Sequence, residues 1–194
     1  MKQTVYPIKD SNVLSEVKDI LLHNFRWGRR NLTIFQVGKA TLLRVSDVLA
    51  LQYSDVFDEQ GHIKPHAYIH DQKTGKPNNL YLQPLEKDLM QYQQWLVNNH
   101  VNSKWLFPSS ENDKHIDGRQ FYRIMQKVGD LLNINYLGTH TMRKTGAYRV
   151  YVQSNYNIGL VMNLLNHSSQ SMTLRYLGLD RESTEKILNN IDFG

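Results

Sequence analysis

The stretch LLNHSSQSMTLRYLG, residues 164–178, sets His167 nine residues ahead of Tyr176, with Arg175 beside the tyrosine. An imidazole and a phenol brought to one phosphate could hydrogen-bond it and attack it. The phenol, with a reference pKa of about 10, becomes a nucleophile where cations lower the cost of phenolate. Upstream, THTMRKTGAYRVY places His140 and Arg143 three apart on a predicted helix, so both can point donors at a single anion. The planar fork of arginine suits phosphate oxygens. Arg44 lies among Leu42, Leu43, Val45, Val48, Leu49 and Leu51. An arginine there either snorkels to water or holds a specific anion, and Asp47 at i+3 could be its ion-pair partner. Lys73 falls in DQKTGKPN, where an ammonium with a reference pKa of about 10.4 could protonate an alkoxide-like leaving oxygen. Each residue also has an everyday alternative. His140 and Arg143 fit a solvated helix face, Lys73 a solubilising turn, His167 a helix cap, and Tyr176 is one of 11 tyrosines.

The elements that must hold these side chains are mostly helical. After Asp10-Ser11-Asn12, a plausible cap, Val13, Leu14, Val17, Ile20 and Leu21 recur at helical spacing. LTIFQVGKATLLRVSDVLALQ reads as two helices broken near Gly38, the second carrying Arg44. Between Tyr53 and Pro84 the texture changes. AYIH and NLYLQ are short strand-like runs separated by turn formers, predicting a β-hairpin with Lys73 and Lys76 at or near its tip. A third strand is expected around Tyr53 to Phe57. Helical spacing returns at Leu85, Leu89, Tyr92 and Leu96, with Trp95 beside them, and WLFPSS reads as a buried connector. Asp117 should cap a helix through Phe121, Ile124, Met125, Val128 and Leu131. Further helices are expected around Thr139–Val152, Ile158–Asn166, Ser169–Leu177 and Arg181–Asn190.

Bulk properties narrow the setting. At 194 residues the chain suits one well-buried core, and no repeat or linker divides it, so one domain is expected. Lys+Arg 23 against Asp+Glu 18 leaves a modest excess of positive charge, which favours a polyanionic partner. With Cys 0, a disulfide framework, a thiol nucleophile and Cys-ligated metal are excluded. No apolar run approaches the roughly 20 residues that span a bilayer, and MKQTVYPIKDSN has no hydrophobic signal core. A cytoplasmic protein is expected, with no membrane partner. KTGKP is not a Walker motif, and no acidic cluster has two-metal spacing, so neither cofactor nor metal is called for. Basic clusters that could meet DNA phosphates are Arg26, Arg29 and Arg30 around Trp27, Arg119 with Arg123, and Lys144 with Arg149.

Taken in order, the candidate residues form four boxes: ATLLRVSDVLALQYSDV, HDQKTGKPNNLYL, HTMRKTGAY and LLNHSSQSMTLRYLG. In these boxes the sequence resembles the catalytic domain of the tyrosine recombinases, the phage-integrase family, from about Ala40 to Leu177. Leu42 and Asp47 stand where that family usually has Gly and Glu, and Asn166 replaces the usual Gly before the histidine. The resemblance implies a mainly α fold with a small antiparallel β-sheet (α+β). It divides the chain into N-terminal helices over 1–39, catalytic boxes over 40–177 and a tail helix over 178–194. The separate N-terminal core-binding domain of most members is expected to be absent.

By position the resemblance also assigns roles. Tyr176 would attack a backbone phosphate to form a 3′-phosphotyrosyl bond, while Arg44 and Arg143 clamp the non-bridging oxygens. His167 would hydrogen-bond the same group, His140 would help take the phenol proton, and Lys73 would protonate the 5′-oxygen. The implied protein is a site-specific recombinase or integrase of a bacterial mobile element, independent of metal and ATP. It would act on double-stranded DNA as a homotetramer on paired sites, with a directionality or accessory factor, at the nucleoid. The tail, through Ile187, Leu188 and Ile191, would dock on a neighbouring subunit. Two other readings share these residues: a type IB topoisomerase-like DNA relaxing enzyme, and a catalytically silent DNA-binding accessory protein.

Overall fold

In the computed structural model the described residues are 5–179 together with 185, 188, 189, 191 and 192. Helix α1 (Ser11–His23) begins where the Asp10 carboxylate accepts from the backbone N–H groups of Asn12 and Val13, at 2.7 and 3.0 Å. Its buried stripe is Leu14, Val17 and Leu21, the i, i+3, i+7 face of a half-buried helix. Helix α2 (Gly28–Thr41) is the hub, packing against α1, α5 (Glu86–Asn98) and α7 (Thr141–Gln153). Small residues allow that closeness. A Cβ on Gly146 of α7 would lie 1.9 Å from the Lys39 carbonyl oxygen, and one on Gly38 would lie 2.3 Å from the Met142 sulfur.

Helix α2 therefore runs through Gly38 and ends later than the sequence suggests. The break comes at Leu42, which adopts φ +55°, and the short α3 (Val45–Leu49) follows with Arg44 at its N-cap. Gly38 is there for packing. The expected third strand is also replaced: Tyr53–Val56 forms a short helix, α4, closed by a capping box between Gln52 and Asp55. Phe57 alone makes a bridge, to Ile63. Because Tyr53 stacks on Phe57 at 4.5 Å, the aromatic residues that read as strand formers serve a helical turn.

The hairpin is as expected. Strands β1 (His66–His70) and β2 (Pro77–Tyr81) pair antiparallel, with Ala67 opposite Leu80 facing the core. Helix α6 (Gly118–Leu132) starts at a capping box in which the Asp117 carboxylate accepts from the Gln120 N–H at 2.7 Å, and it buries Phe121, Met125 and Val128. Helices α8 (Ile158–Leu165) and α9 (Gln170–Tyr176) complete the described elements. The result is a mainly helical α+β fold, with a two-stranded antiparallel sheet among the described residues.

Two groups of buried side chains hold it. The larger is built from α1, α2, α5, α6 and the inner face of the hairpin, around Phe35, Tyr92, Phe107 and Phe121. The smaller joins Leu42 to Ala147 of α7, Val161 and Leu165 of α8, and Leu177 just after α9, with Tyr176 packed at its edge. That small core fixes the helix bearing the tyrosine against the helix bearing Arg143. The expected tail helix falls largely outside the described residues, and Ile187 does so entirely. Leu188 and Ile191 are exposed. No helix among the described residues is long and apolar enough to cross a membrane.

Candidate active site

The site forms where α2 ends and α7 begins. The Leu42 turn exposes its carbonyl oxygen, and Arg143 Nε donates to it across 101 residues of sequence. Arg143 is only 8% exposed, so this bond orients a guanidinium that has little access to water. Two residues after Leu42, extended backbone at Arg44 (φ −68°, ψ 154°) directs its side chain to the same region. Burial first, and then repulsion from the Arg44 guanidinium, holds Arg143 below the usual arginine range. Such a like-charge pair is costly unless an anion lies between or beside the two. In this structure the anions are Asp71 and Asp47. Arg44 Nη1 pairs with Asp71 Oδ2, while both carboxylates act on Arg143 by their charge. The sequence pointed to Asp47 as the partner of Arg44. Its carboxylate instead accepts from the Gln72 N–H at 3.0 Å and ties α3 to the hairpin tip.

His140 stands at the N-cap of α7 and is exposed. Desolvation by its neighbours, then the charges of Arg143, Lys144 and Arg44, push its pKa below the ordinary histidine range. His167 follows α8, which ends in a left-handed turn at Asn166 (φ +54°), and its N–H donates to the Met162 carbonyl at 2.9 Å. Its Nδ1 lies 3.0 Å from the hydroxyl of buried Thr173, which itself donates to the Ser169 carbonyl at 3.2 Å. That donation makes Nδ1–H the donor to Thr173 and turns Nε2 toward other partners. Burial, Arg143 and Arg44 lower the pKa of His167 too.

The Tyr176 ring sits edge-on to His167 at 5.3 Å, with the Arg143 guanidinium 5.9 Å and the Lys144 ammonium 5.1 Å from its centroid. Its hydroxyl is buried and has no hydrogen-bond partner among the described residues. Burial pushes the phenol pKa up, and Arg143 first, then Arg44, oppose that shift. His140, His167 and Tyr176 thus all lie within the field of Arg143 and Arg44, one electropositive cluster drawn from separate parts of the chain.

Lys73 is placed differently. Its side chain is exposed at the hairpin tip, and its connection to the pocket runs through the backbone. Asp71 Oδ1 accepts from the N–H groups of Lys73 and Thr74 at 2.9 and 3.0 Å, while Oδ2 of the same carboxylate holds Arg44. Asp71 and Thr173 were not singled out from sequence. The Asp71-x-x-Thr74-Gly75 turn chemistry was a usable signal for the first; nothing in the sequence marked the second.

The residues read as DNA contacts fall into distinct groups. Arg26, Arg119 and Arg123 are exposed, and Arg29 donates to Gln91 Oε1 at 2.9 Å. Arg30 is only 4% exposed: it donates to the Pro108 carbonyl at 2.7 Å, lies 4.7 Å over Trp27, and burial pulls its pKa down to about 10. It is part of the interior. Arg149 donates to Ser11 Oγ at 3.0 Å, and Lys144 to the Val5 carbonyl at 2.7 Å, beside the Tyr176 ring.

A mostly helical fold that gathers two arginines, two histidines and a tyrosine in one electropositive cluster defines a class, and comparison with known proteins agrees with it. Residues 14–183 match the model of the phage integrase family, and the chain belongs to that family. It is 34% identical over 181 residues to the probable integrase/recombinase YoeC of Bacillus subtilis (strain 168), covering 93% of each chain. With tyrosine recombinase XerD of Staphylococcus haemolyticus (strain JCSC1435) it shares 24% identity over 95% of this chain and 61% of that protein. Among solved structures, XerH bound to its palindromic difH substrate matches with a TM-score of 0.67 at 17% identity, covering 97% of this chain and 53% of that one. A lambda integrase dimer bound to a core site matches at 0.68 and 14% identity, covering 92% of this chain and 62% of that one. The chain therefore spans a little over half the length of several longer relatives.

Proposed function

We propose that this chain is a site-specific DNA recombinase or integrase that cuts and rejoins double-stranded DNA through a 3′-phosphotyrosyl intermediate. The observation that carries the reading is the pocket around Tyr176, whose ring is flanked by His167 and Arg143 while the charge of Arg44 reaches its hydroxyl. Displacement at a phosphodiester concentrates charge on the non-bridging oxygens, and fixed donors aimed there are worth about 3–4 kcal/mol each. Arg44 and Arg143 are the donors. The Tyr176 oxygen attacks in line, forming an O–P bond as the bond from phosphorus to the 5′-oxygen breaks. The phenol proton passes to neutral His140, and the leaving 5′-oxygen takes a proton from Lys73. His167, which gains a proton on Nε2 once the phosphate is seated, donates to the phosphoryl group as it passes through its crowded state.

One phosphoester replaces another, so the step is nearly isoenergetic and a 5′-hydroxyl from a second strand can reverse it. The reaction therefore calls for neither ATP nor metal. Natural partners in this reading are paired DNA sites held by a homotetramer, with an accessory factor setting direction, at the nucleoid of a bacterium carrying a mobile element. Residues 1–194 act as one catalytic unit.

The test is a nicked suicide duplex, from which the fragment below the cut diffuses away, incubated with protein in EDTA without nucleotide. An SDS-resistant protein–DNA adduct is expected. Duplex binding with no adduct would leave a silent DNA-binding protein. Adduct with supercoil relaxation but no exchanged strands on paired target sites would favour the topoisomerase reading.

A further inference from the structure

Asp71 uses both oxygens of one carboxylate for two different parts of the site. Oδ2 holds the Arg44 guanidinium, and Oδ1 accepts from the Lys73 and Thr74 N–H groups that shape the hairpin tip. The pair is largely shielded, its side chains 27% and 12% exposed, so salt screens it weakly. The Thr74 N–H, Arg44 and the Lys73 N–H outweigh the effect of burial and hold the Asp71 carboxyl below its ordinary range. A carboxylate oxygen and a phosphodiester oxygen compete for the same guanidinium fork. An attached carboxylate has a high effective concentration and wins while DNA is absent. The segment that would have to yield has room to move, on a base closed by the Asp71 N–H donating to the Lys76 carbonyl at 2.9 Å and the Gly75 N–H to the Asp71 carbonyl at 2.7 Å. Lys73 to Lys76 are exposed, and nothing lies within 4 Å of the side-chain position at Gly75, whose φ is +67°.

Resting on the reading of Arg44 and Lys73 above, we propose that Asp71 occupies the place on Arg44 that the scissile phosphate takes, so that DNA must displace it and thereby releases the Lys73 turn toward the leaving oxygen. Asp71 is a positioning residue. It masks the cationic pocket in the free protein and couples phosphate arrival to the placement of the proton donor. The neighbouring Asp47 keeps its bond to the Gln72 N–H on the other side of the tip and serves as the hinge.

Asp71→Asn separates the two functions, because its amide oxygen still accepts from the Lys73 and Thr74 N–H groups while the charge on Arg44 is gone. In a Tyr176→Phe background, where no covalent step intervenes, D71N should bind intact duplex about fivefold more tightly. The gain should vanish when Arg44→Ala is added. With Tyr176 present, Asp71→Ala should slow adduct formation on an ordinary suicide duplex but not on one with sulfur as the 5′-bridging atom, which leaves without a proton. Unchanged affinity for D71N, or a gain that persists without Arg44, overturns the displacement. Equal slowing on both duplexes overturns the link to Lys73. Wild-type protein that forms no adduct would instead remove the functional reading on which this inference rests.

Discussion

Desolvation and the two guanidiniums hold His140 and His167 below the ordinary histidine pKa of about 6.5, so the free protein disfavours the imidazolium form of both. A phosphate seated between Arg44 and Arg143 cancels much of that positive field and restores affinity for protons. Binding should therefore take up protons in the window between the lowered pKa of the free protein and the raised pKa of the complex. Calorimetric titration of the Tyr176→Phe protein with duplex in buffers of different ionisation enthalpy should show net uptake near pH 6. The uptake should shrink in His140→Gln and His167→Gln. Proton release would contradict the charge arrangement.

The departures from the family pattern also acquire a physical account at this scale. Leu42 and Asn166 both adopt positive φ, +55° and +54°, the region glycine enters without a side-chain penalty. For Leu42 the cost of about 1 kcal/mol is outweighed by burial in the small core, worth about 2–3 kcal/mol. Asn166 is exposed, and asparagine tolerates this conformation. Asn166→Gly should leave stability within about 0.5 kcal/mol of wild type in urea unfolding, while Asn166→Ala should lose about 1 kcal/mol. Equal stability of the two variants would rule out the conformational explanation.

Among the elements, the seam between α2 and α7 matters most, because it carries the Leu42 carbonyl to Arg143. Gly146→Ala would press a methyl group against the Lys39 carbonyl and Leu42. Overpacking of this kind costs about 1–3 kcal/mol. The variant should melt earlier. It should also form adduct more slowly at temperatures where it remains folded, since the Leu42 turn and Arg143 lose their register. A stable variant with normal cleavage would show that the seam does not position the guanidinium.

Helix spacing was legible wherever an apolar stripe and a cap coincided, as at Asp10 and Asp117. It misled where a residue type had two uses. Gly38 read as a breaker yet makes room for Met142, and Tyr53 with Phe57 read as strand yet stack across one helical turn. The order of the candidate site residues was visible in the boxes. Their mutual orientation was not, since the Arg143–Leu42 and Arg44–Asp71 contacts join segments 101 and 27 residues apart.

At the scale of the whole molecule, the modest positive charge is unevenly useful. Arg30 is spent inside the fold, Lys144 stands at the pocket, and Arg119 with Arg123 project from α6, one turn apart and exposed. Phosphate contacts give salt-dependent, sequence-independent affinity. Arg119→Ala with Arg123→Ala should weaken binding to all duplexes alike and reduce the slope of log affinity against log salt by about 2. An unchanged slope would take α6 off the DNA face.

One bond, between phosphorus and the phenol oxygen of Tyr176, is the centre of the proposed chemistry. Digestion of the suicide-duplex adduct and mass mapping of the DNA-linked peptide should place the link on Tyr176, and Tyr176→Phe should bind duplex but yield no adduct. A link mapped to any other residue, or an undiminished adduct from the Phe variant, would contradict the proposed chemistry.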